Sequence, residues 1–377
     1  VVFYFGERRS KMRGFFFVLL AFLFPLSGLC LDLTKGLFLS GTGTFVYQYM
    51  AKEKGDFKDE KKGSGVLDLN LSFKPSENNE FFVRASFAKG NGLKRVNPFV
   101  LSPNADDLFD DLHNINGHPR DHLQELWYSH TFPLEKERNL RITLGIIDST
   151  SFIDDNEYAG NEIEQFLNEG LVHNLLLNLP SYDLGVALEL ERGNLHLRLL
   201  GMRSKNELDK YYTWVGAQVG YKWENALGKG NYRLCAFTTN KKFESWTESY
   251  KALRGFGLSV DQELIKEKLG GFLRFGWQDD KAKVDYKSMA SFGLNVKGSI
   301  WKREKDEMGI GYSYLKGPKK GEISHTHLFE TYLKFHLSEF KSIISNLTFD
   351  YQYMVDKFQK NDKNEAHILG LRFNVSF

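Results

Sequence analysis

The chain has 377 residues, 42% hydrophobic and 26% charged, and its 50 Lys+Arg against 48 Asp+Glu leave a formal net charge of +2. That near-balance excludes a strongly basic nucleic-acid binder and an acidic disordered tail as readings of the whole chain. With 32 Phe, 17 Tyr, 6 Trp and 34 Gly against only 8 Pro, the composition favours strands and turns over helices.

Near the start, Met12-Arg13-Gly14 precede an apolar run from Phe15 to Leu26, broken only by Pro25 and followed by Ser27 and Gly28. A basic start, an apolar centre and small residues beyond it make a secretory leader. Residues 1–30 are therefore expected to be an N-terminal extension and a cleaved signal peptide, with Met12 the true start and the cut after Cys30. Residues 31–377 then form one domain. A lipid anchor on Cys30 is the weaker reading, because Leu29 replaces the small residue that normally precedes such a cysteine. An uncleaved span is weaker too, the apolar run being short for a membrane helix. With Cys30 removed, Cys235 stands alone, which excludes an intrachain disulfide and thiol-ligated metal sites.

Beyond the leader the chain alternates. In Leu67-Asp68-Leu69-Asn70-Leu71-Ser72-Phe73-Lys74 every second residue is apolar, so one face of a strand meets oil and the other water. The same period recurs in Leu184 to Glu191, Leu195 to Leu199, Leu347 to Tyr353 and Leu369 to Phe377. About sixteen such segments begin near residues 37, 65, 80, 123, 139, 182, 194, 211, 229, 253, 268, 288, 306, 325, 345 and 364. Longer links (Ala51 to Gly65, Lys89 to His122, Asp148 to Ser181, Asn240 to Ala252, Asp356 to Lys363) alternate with shorter ones such as Arg192-Gly193 and Lys302 to Lys305. The fold expected is all-β: a transmembrane antiparallel barrel of about sixteen strands, with long extracellular loops and short periplasmic turns. The aromatic strand ending at Phe377 suits engagement by the barrel assembly machinery.

Alternation also assigns faces. Arg84, Glu125, Trp127, Arg141, Glu189, Arg198, Arg274, Glu330 and Lys334, with Asp350 and Arg372, fall on the wet face, since an Arg or Lys near the lipid midplane costs roughly 2–4 kcal/mol. They either brace a water-filled barrel or set its selectivity through donors and acceptors that hydroxyl-rich solutes use. Trp127, sharing its face with Glu125, offers an apolar surface for a sugar ring. Trp214, Trp223, Trp246 and Trp277 read instead as girdle or loop aromatics. Residues Asp148 to Ser181 form either a solvated loop or an inward constriction. Asp148, Asp154, Asn156 and Glu162 are its candidate residues, and Asn161 to Leu167 is a candidate short helix.

Two groups of segments carry a family likeness. Glu125-Leu126-Trp127-Tyr128, Ile142 to Asp148, and Asp154-Asp155-Asn156-Glu157-Tyr158-Ala159 with Gln165-Phe166-Leu167-Asn168 resemble the carbohydrate-selective porin family of the OprB type. Glu330 to Phe335, Leu347 to Tyr353, and Gly370-Leu371-Arg372-Phe373 are similar to that family's last strands. The sequence departs from the pattern at Ile146, where Lys is common, at Ile153 for Phe, and at Gly160 for Asn. The resemblance implies an outer-membrane porin, a homotrimer among outer-membrane lipids, that lets monosaccharides and other small carbohydrates diffuse inward past the folded loop, with no cofactor and no nucleic-acid partner. The alternatives are a general or anion-preferring porin, or a barrel enzyme or adhesin. No Gly-x-Ser-x-Gly elbow is present, which weakens the enzyme. His113, His118 and His122, near Asp106, Asp107, Asp110, Asp111 and Asp121, suggest a divalent cation, but their spacing matches no tight zinc pattern and favours a solvated loop.

Overall fold

A computed structural model describes residues 31–104, 112–134 and 138–377; the expected leader lies outside them. Its first four barrel strands are β1 (Leu37–Lys54), β2 (Glu60–Ser76), β3 (Asn79–Lys89) and β4 (Leu123–Pro133). Then come β5 (Arg138–Ile147), β6 (Asp183–Arg192), β7 (Leu195–Lys205) and β8 (Tyr211–Asn225). The third quarter is β9 (Gly228–Thr239), β10 (Arg254–Ile265), β11 (Leu269–Gln278) and β12 (Ser288–Lys297). The last is β13 (Glu307–Lys316), β14 (Ile323–Phe340), β15 (Ile343–Phe358) and β16 (Lys363–Ser376). Each pairs antiparallel with the next, and β16 pairs back onto β1, Ser376 opposite Thr42 and Leu369 opposite Tyr49. Gly41 and Phe377 add two backbone hydrogen bonds at that seam, 3.1 and 3.0 Å. Closure removes the unpaired strand edge that a bilayer does not tolerate. A short strand, Leu31–Thr34, pairs with the start of β1.

Fifteen of the sixteen strands begin within two residues of the positions expected from alternation. The exception is β2, which starts at Glu60 rather than near 65. Glu60-Lys61-Lys62-Gly63-Ser64 has no apolar period, yet it pairs with Val46 to Met50 of β1, so the hairpin rises as a polar ribbon that hydropathy does not reveal. For the same reason the stretch Ala51 to Gly65 shrinks to a turn at 55–59, and Asp356 to Lys363 to one at 359–362. The contrast between the two ends of the barrel rests mainly on loops 90–122, 148–182 and 240–253. On the turn side, residues 298–306 form a longer connection than expected, holding a 3-10 turn at Gly298–Trp301.

Alternate side chains obey the expected faces. Leu144, Val215, Phe349 and Leu369 point outward and are exposed, whereas Thr143, Gln218, Thr348 and Ile368 face inward and are buried. Trp223 and Trp277 lie on the outer surface and Trp246 in a loop, but Trp214 does not belong to a girdle. It is fully buried inside the barrel, its indole nitrogen donating to the Leu177 carbonyl at 3.1 Å. Its parity with Gly216 and Gln218 places it there.

The lumen is partly filled. Leu93, Phe99 and Leu101 from loop 90–122, with Tyr158, Phe166, Leu171 and Leu176 from loop 148–182, form an apolar cluster on Phe272, Leu328, Tyr332, Met354 and Ile368 of the wall. Each fully buried side chain of this kind contributes about 1.5–3 kcal/mol. The second long loop is thus no solvated loop over residues 93–104. Gln48 and Gln352 donate to the Pro103 carbonyl at 3.0 and 2.8 Å, and Glu169 accepts from the Ser102 amide at 2.6 Å.

Candidate functional site

Loop 148–182 departs from β5 with a turn at Ser149–Ser151, capped by Asp148, whose carboxylate accepts from the Thr150 amide. The helical turn lies at Glu169–Val172, capped by Asn168, and not at 161–167 as expected. Asn168 accepts from the Gly170 amide at 3.0 Å, while Asn161 makes the same kind of cap to the Ile163 and Glu164 amides over a single turn that does not continue as a helix. The position of Asn168 is set by Glu330 of β14, whose two carboxylate oxygens accept from the backbone amides of Leu167 (2.6 Å) and Asn168 (3.0 Å). Arg274 of β11 makes the second anchor, pairing with Asp154 at 3.1 Å and donating to the Leu171 carbonyl at 2.7 Å. Both partners of that pair are fully buried.

Arg274 and Glu330, expected to line the open lumen, therefore lie beneath the loop and hold it. Asp154 is buried with them, its other oxygen accepting from the Asn174 amide at 2.6 Å. Asn156 is also inaccessible, donating to Ser259 and the Val260 carbonyl. Alternation gives a side chain's face and says nothing of what covers it. Further along, Arg372 of β16 donates to the carbonyls of Glu162 and Gln165 and pairs with Asp350 at 2.8 Å. Lys334 reaches Glu164 at 3.1 Å.

Tyr158 docks on a bare spot of the wall: a Cβ built at Gly270 would lie 2.1 Å from its ring. Gly270→Val is accordingly expected to push the loop off β11 and cost roughly 1–3 kcal/mol, read as a lowered Tm and faster proteolysis within 148–182.

A chain of alternating charge crosses from wall to loop. Glu189 pairs with Arg198 at 3.3 Å, Arg198 with Asp155 at 3.0 Å, Asp155 with Arg233 at 2.9 Å and Arg233 with Asp261 at 2.6 Å. Burial alone would raise the Asp155 carboxyl, but Arg233 and Arg198 outweigh it and hold the group below the usual carboxylate range. Since the docked carboxyl is the stronger acid, its contribution is fully present above the usual carboxylate range and is lost as pH falls through its depressed value. The Asp155 contacts to Arg198 and Arg233 should therefore survive mildly acidic pH, read as unchanged proteolysis within 148–182, and be lost only below the ordinary Asp range. Asp155→Asn should show the faster proteolysis at every pH.

While the loop's polar contacts gather on β7–β11 and β14–β16, strands β2–β6 carry a second constellation. Phe82 and Trp127, cross-strand partners on β3 and β4, stack at 4.8 Å with their planes 21° apart. Arg84 lies 5.9 Å from the Phe82 ring centre and Arg141 5.7 Å from that of Trp127. Glu125 accepts from the Trp127 indole at 3.1 Å and pairs with Arg84 at 3.0 Å; Glu80 pairs with Arg141 at 3.0 Å. Opposite Trp127 stands Gly145, whose φ of 142° and whose approach to the Trp127 backbone leave no room for a side chain. Arg84, Glu125, Trp127 and Arg141 thus lie together on this wall, with Glu189 the cross-strand partner of Arg141 and Arg198 beside Glu189. Phe82, Glu80 and Arg233 went unread, although Phe82 and Glu80 share the parity of Arg84.

Two of the histidines meet, the His113 and His122 rings lying edge to face at 5.1 Å, but His118 stands apart. His113 pairs with Asp121 and His118 with Asp183, each at 3.2 Å, while His122 contacts the Ser86 carbonyl and stacks on Phe87. Asp106, Asp107, Asp110 and Asp111 lie outside the described residues, and among those described no group of three or more potential ligands is placed to hold a metal.

The model of the carbohydrate-selective porin, OprB family, matches residues 200–377. The chain belongs to that family. A porin of this family is an outer-membrane channel and not an enzyme. An uncharacterized protein of Aquifex aeolicus is 32% identical over 321 residues, covering 84% of this chain and 90% of that one. The high-pH structure of Pseudomonas putida OprB has a similar fold, with a TM-score of 0.70 at 12% identity, covering 92% of this porin and 95% of that chain. Pseudomonas aeruginosa OccK2 in complex with glucuronate matches at TM-score 0.53 and 9% identity, covering 91% and 99%.

Proposed function

We propose that this porin passes monosaccharides and other small neutral carbohydrates by passive diffusion, along the β2–β6 wall and past the loop edge that carries Asp155, Glu157, Glu162 and Glu164. The observation that carries the reading is the stacked Phe82–Trp127 pair flanked by Arg84 and Arg141 and by Glu125 and Glu80. A pyranose has an apolar face that suits an aromatic ring and edge hydroxyls that suit mixed donors and acceptors. Arg84, Glu125, Trp127, Arg141, Glu189, Arg198 and Lys334 are its pathway residues; Arg274, Glu330, Asp148, Asp154 and Asn156 shape it through the loop. An anion-preferring channel would present one sign of charge, and this wall presents both.

Liposome swelling tests the reading: glucose and maltose should enter faster than uncharged non-sugar solutes of equal size. Entry ordered by size alone would make this a general porin. We also place residues 31–377 as the inserted domain after removal of 1–30, delivered by the barrel assembly machinery through the strand ending at Phe377, and as a homotrimer; its mass in mild detergent measures the trimer.

A further inference from the structure

The outer surface of β13–β16 carries a feature that sugar passage does not use. At the loop end, cross-strand pairing sets Lys316 opposite His325, His325 opposite Lys357, and Lys357 opposite Lys363. All four share the outward parity, and Lys316 and Lys357 are exposed. At about 4.8 Å per strand the row spans about 14 Å. Like charges set side by side across strands repel unless an anion lies among them. Lys363 has Glu365; Lys316 and Lys357 flank His325 and face out.

Beneath this row the surface changes character in steps. Tyr314 stands opposite His327, and the His327 ring nitrogen meets the Tyr312 hydroxyl at 2.6 Å. Next, from β14 across β13 toward β11, comes an open apolar groove lined by Tyr312, Phe329, Phe292, Leu273, Leu294 and Ile310, so that it adjoins the row at its Lys316 end. Lys316 and Tyr312 are four residues apart on one strand, about 14 Å. Cations at the rim, tyrosine and histidine at the boundary and an apolar trough within the bilayer follow the order of headgroup, interface and acyl chain.

We propose that this face binds a phosphate-bearing lipid of the outer leaflet, its phosphate on Lys316, His325 and Lys357 and an acyl chain in the groove below. The occupant is assigned by charge complementarity and by the depth order of the residues, and the proposal rests on the outer-membrane placement of the loop end rather than on the sugar pathway.

The test compares the wild-type porin with the double variant Lys316→Gln/Lys357→Gln in detergent micelles containing diphosphoryl lipid A, with bound lipid counted by native mass spectrometry. Retention should fall about thirtyfold in the variant, the effect of two lost interfacial cations, while glucose swelling stays unchanged. Equal retention in the variant overturns the proposal, as does equal retention of dephosphorylated lipid A. Displacement by millimolar inorganic phosphate would assign the row to a free ion, and a changed oligomer mass with unchanged lipid retention would assign the face to a second copy of this chain; either also overturns it.

Discussion

Replacing Arg274 by Met should free the lumen loop and widen the channel. The Arg274–Asp154 pair is fully buried on both sides, and the guanidinium also ties down the Leu171 carbonyl. Removing one member of such a pair leaves the other charge stranded in a dry site, at a cost of roughly 3–5 kcal/mol. The barrel need not pay that in full, because the wall is closed by backbone pairing on every strand; the cheaper response is for the loop to leave β11 and hydrate Asp154. Maltose should then enter liposomes nearly as fast as glucose, and single-channel conductance should rise. Adding Asp154→Asn removes the stranded charge, keeps an acceptor for the Asn174 amide and suits the φ of 67°, and should restore much of the sieving. A variant that folds and sieves like the wild type would mean that the loop is held by its apolar cluster and that the ion pair is incidental.

The barrel was legible because a two-residue period survives in nearly every strand, and a membrane enforces it on the outer face. Where no lipid enforces it, as in Glu60 to Ser64, the period fades and the strand was read short. Parity likewise turned the wall charges inward, yet Arg274 and Glu330 look identical to Arg84 in sequence; only the cover of the loop distinguishes them, and Glu125, beside Arg84, is buried as well. Leu93, Phe99 and Leu101 were an available sign that the second loop turns inward, since three large apolar residues in one loop need a surface to cover them. Trp214 was misplaced for a simpler reason. Aromatic residues near strand ends usually mark the bilayer interface, and its parity with Gly216 and Gln218 was a signal that outranks that habit.

Trp127→Ala should abolish preference for sugars while sparing flow. The indole is half-buried, stacked on Phe82, approached by Arg141 and packed against the cluster around Ile147, so the part it leaves to the lumen is apolar and hemmed by charge. A sugar that lays its CH face there gains about 1 kcal/mol from the ring contact, roughly fivefold in local occupancy. That is enough to tip a diffusive pathway without trapping the solute, since a channel must release what it binds. Truncation also frees the Glu125 carboxylate from the indole and leaves it to Arg84 alone, which should tilt the wall toward cations. In swelling assays the ratio of glucose to a size-matched uncharged non-sugar should drop toward one, with total flux equal or higher. Trp127→Phe should recover most of the ratio, because it keeps the ring and loses only the indole donor. If Trp127→Ala leaves the ratio intact, selectivity resides in the polar groups, and Arg84 and Arg141 become the residues to replace.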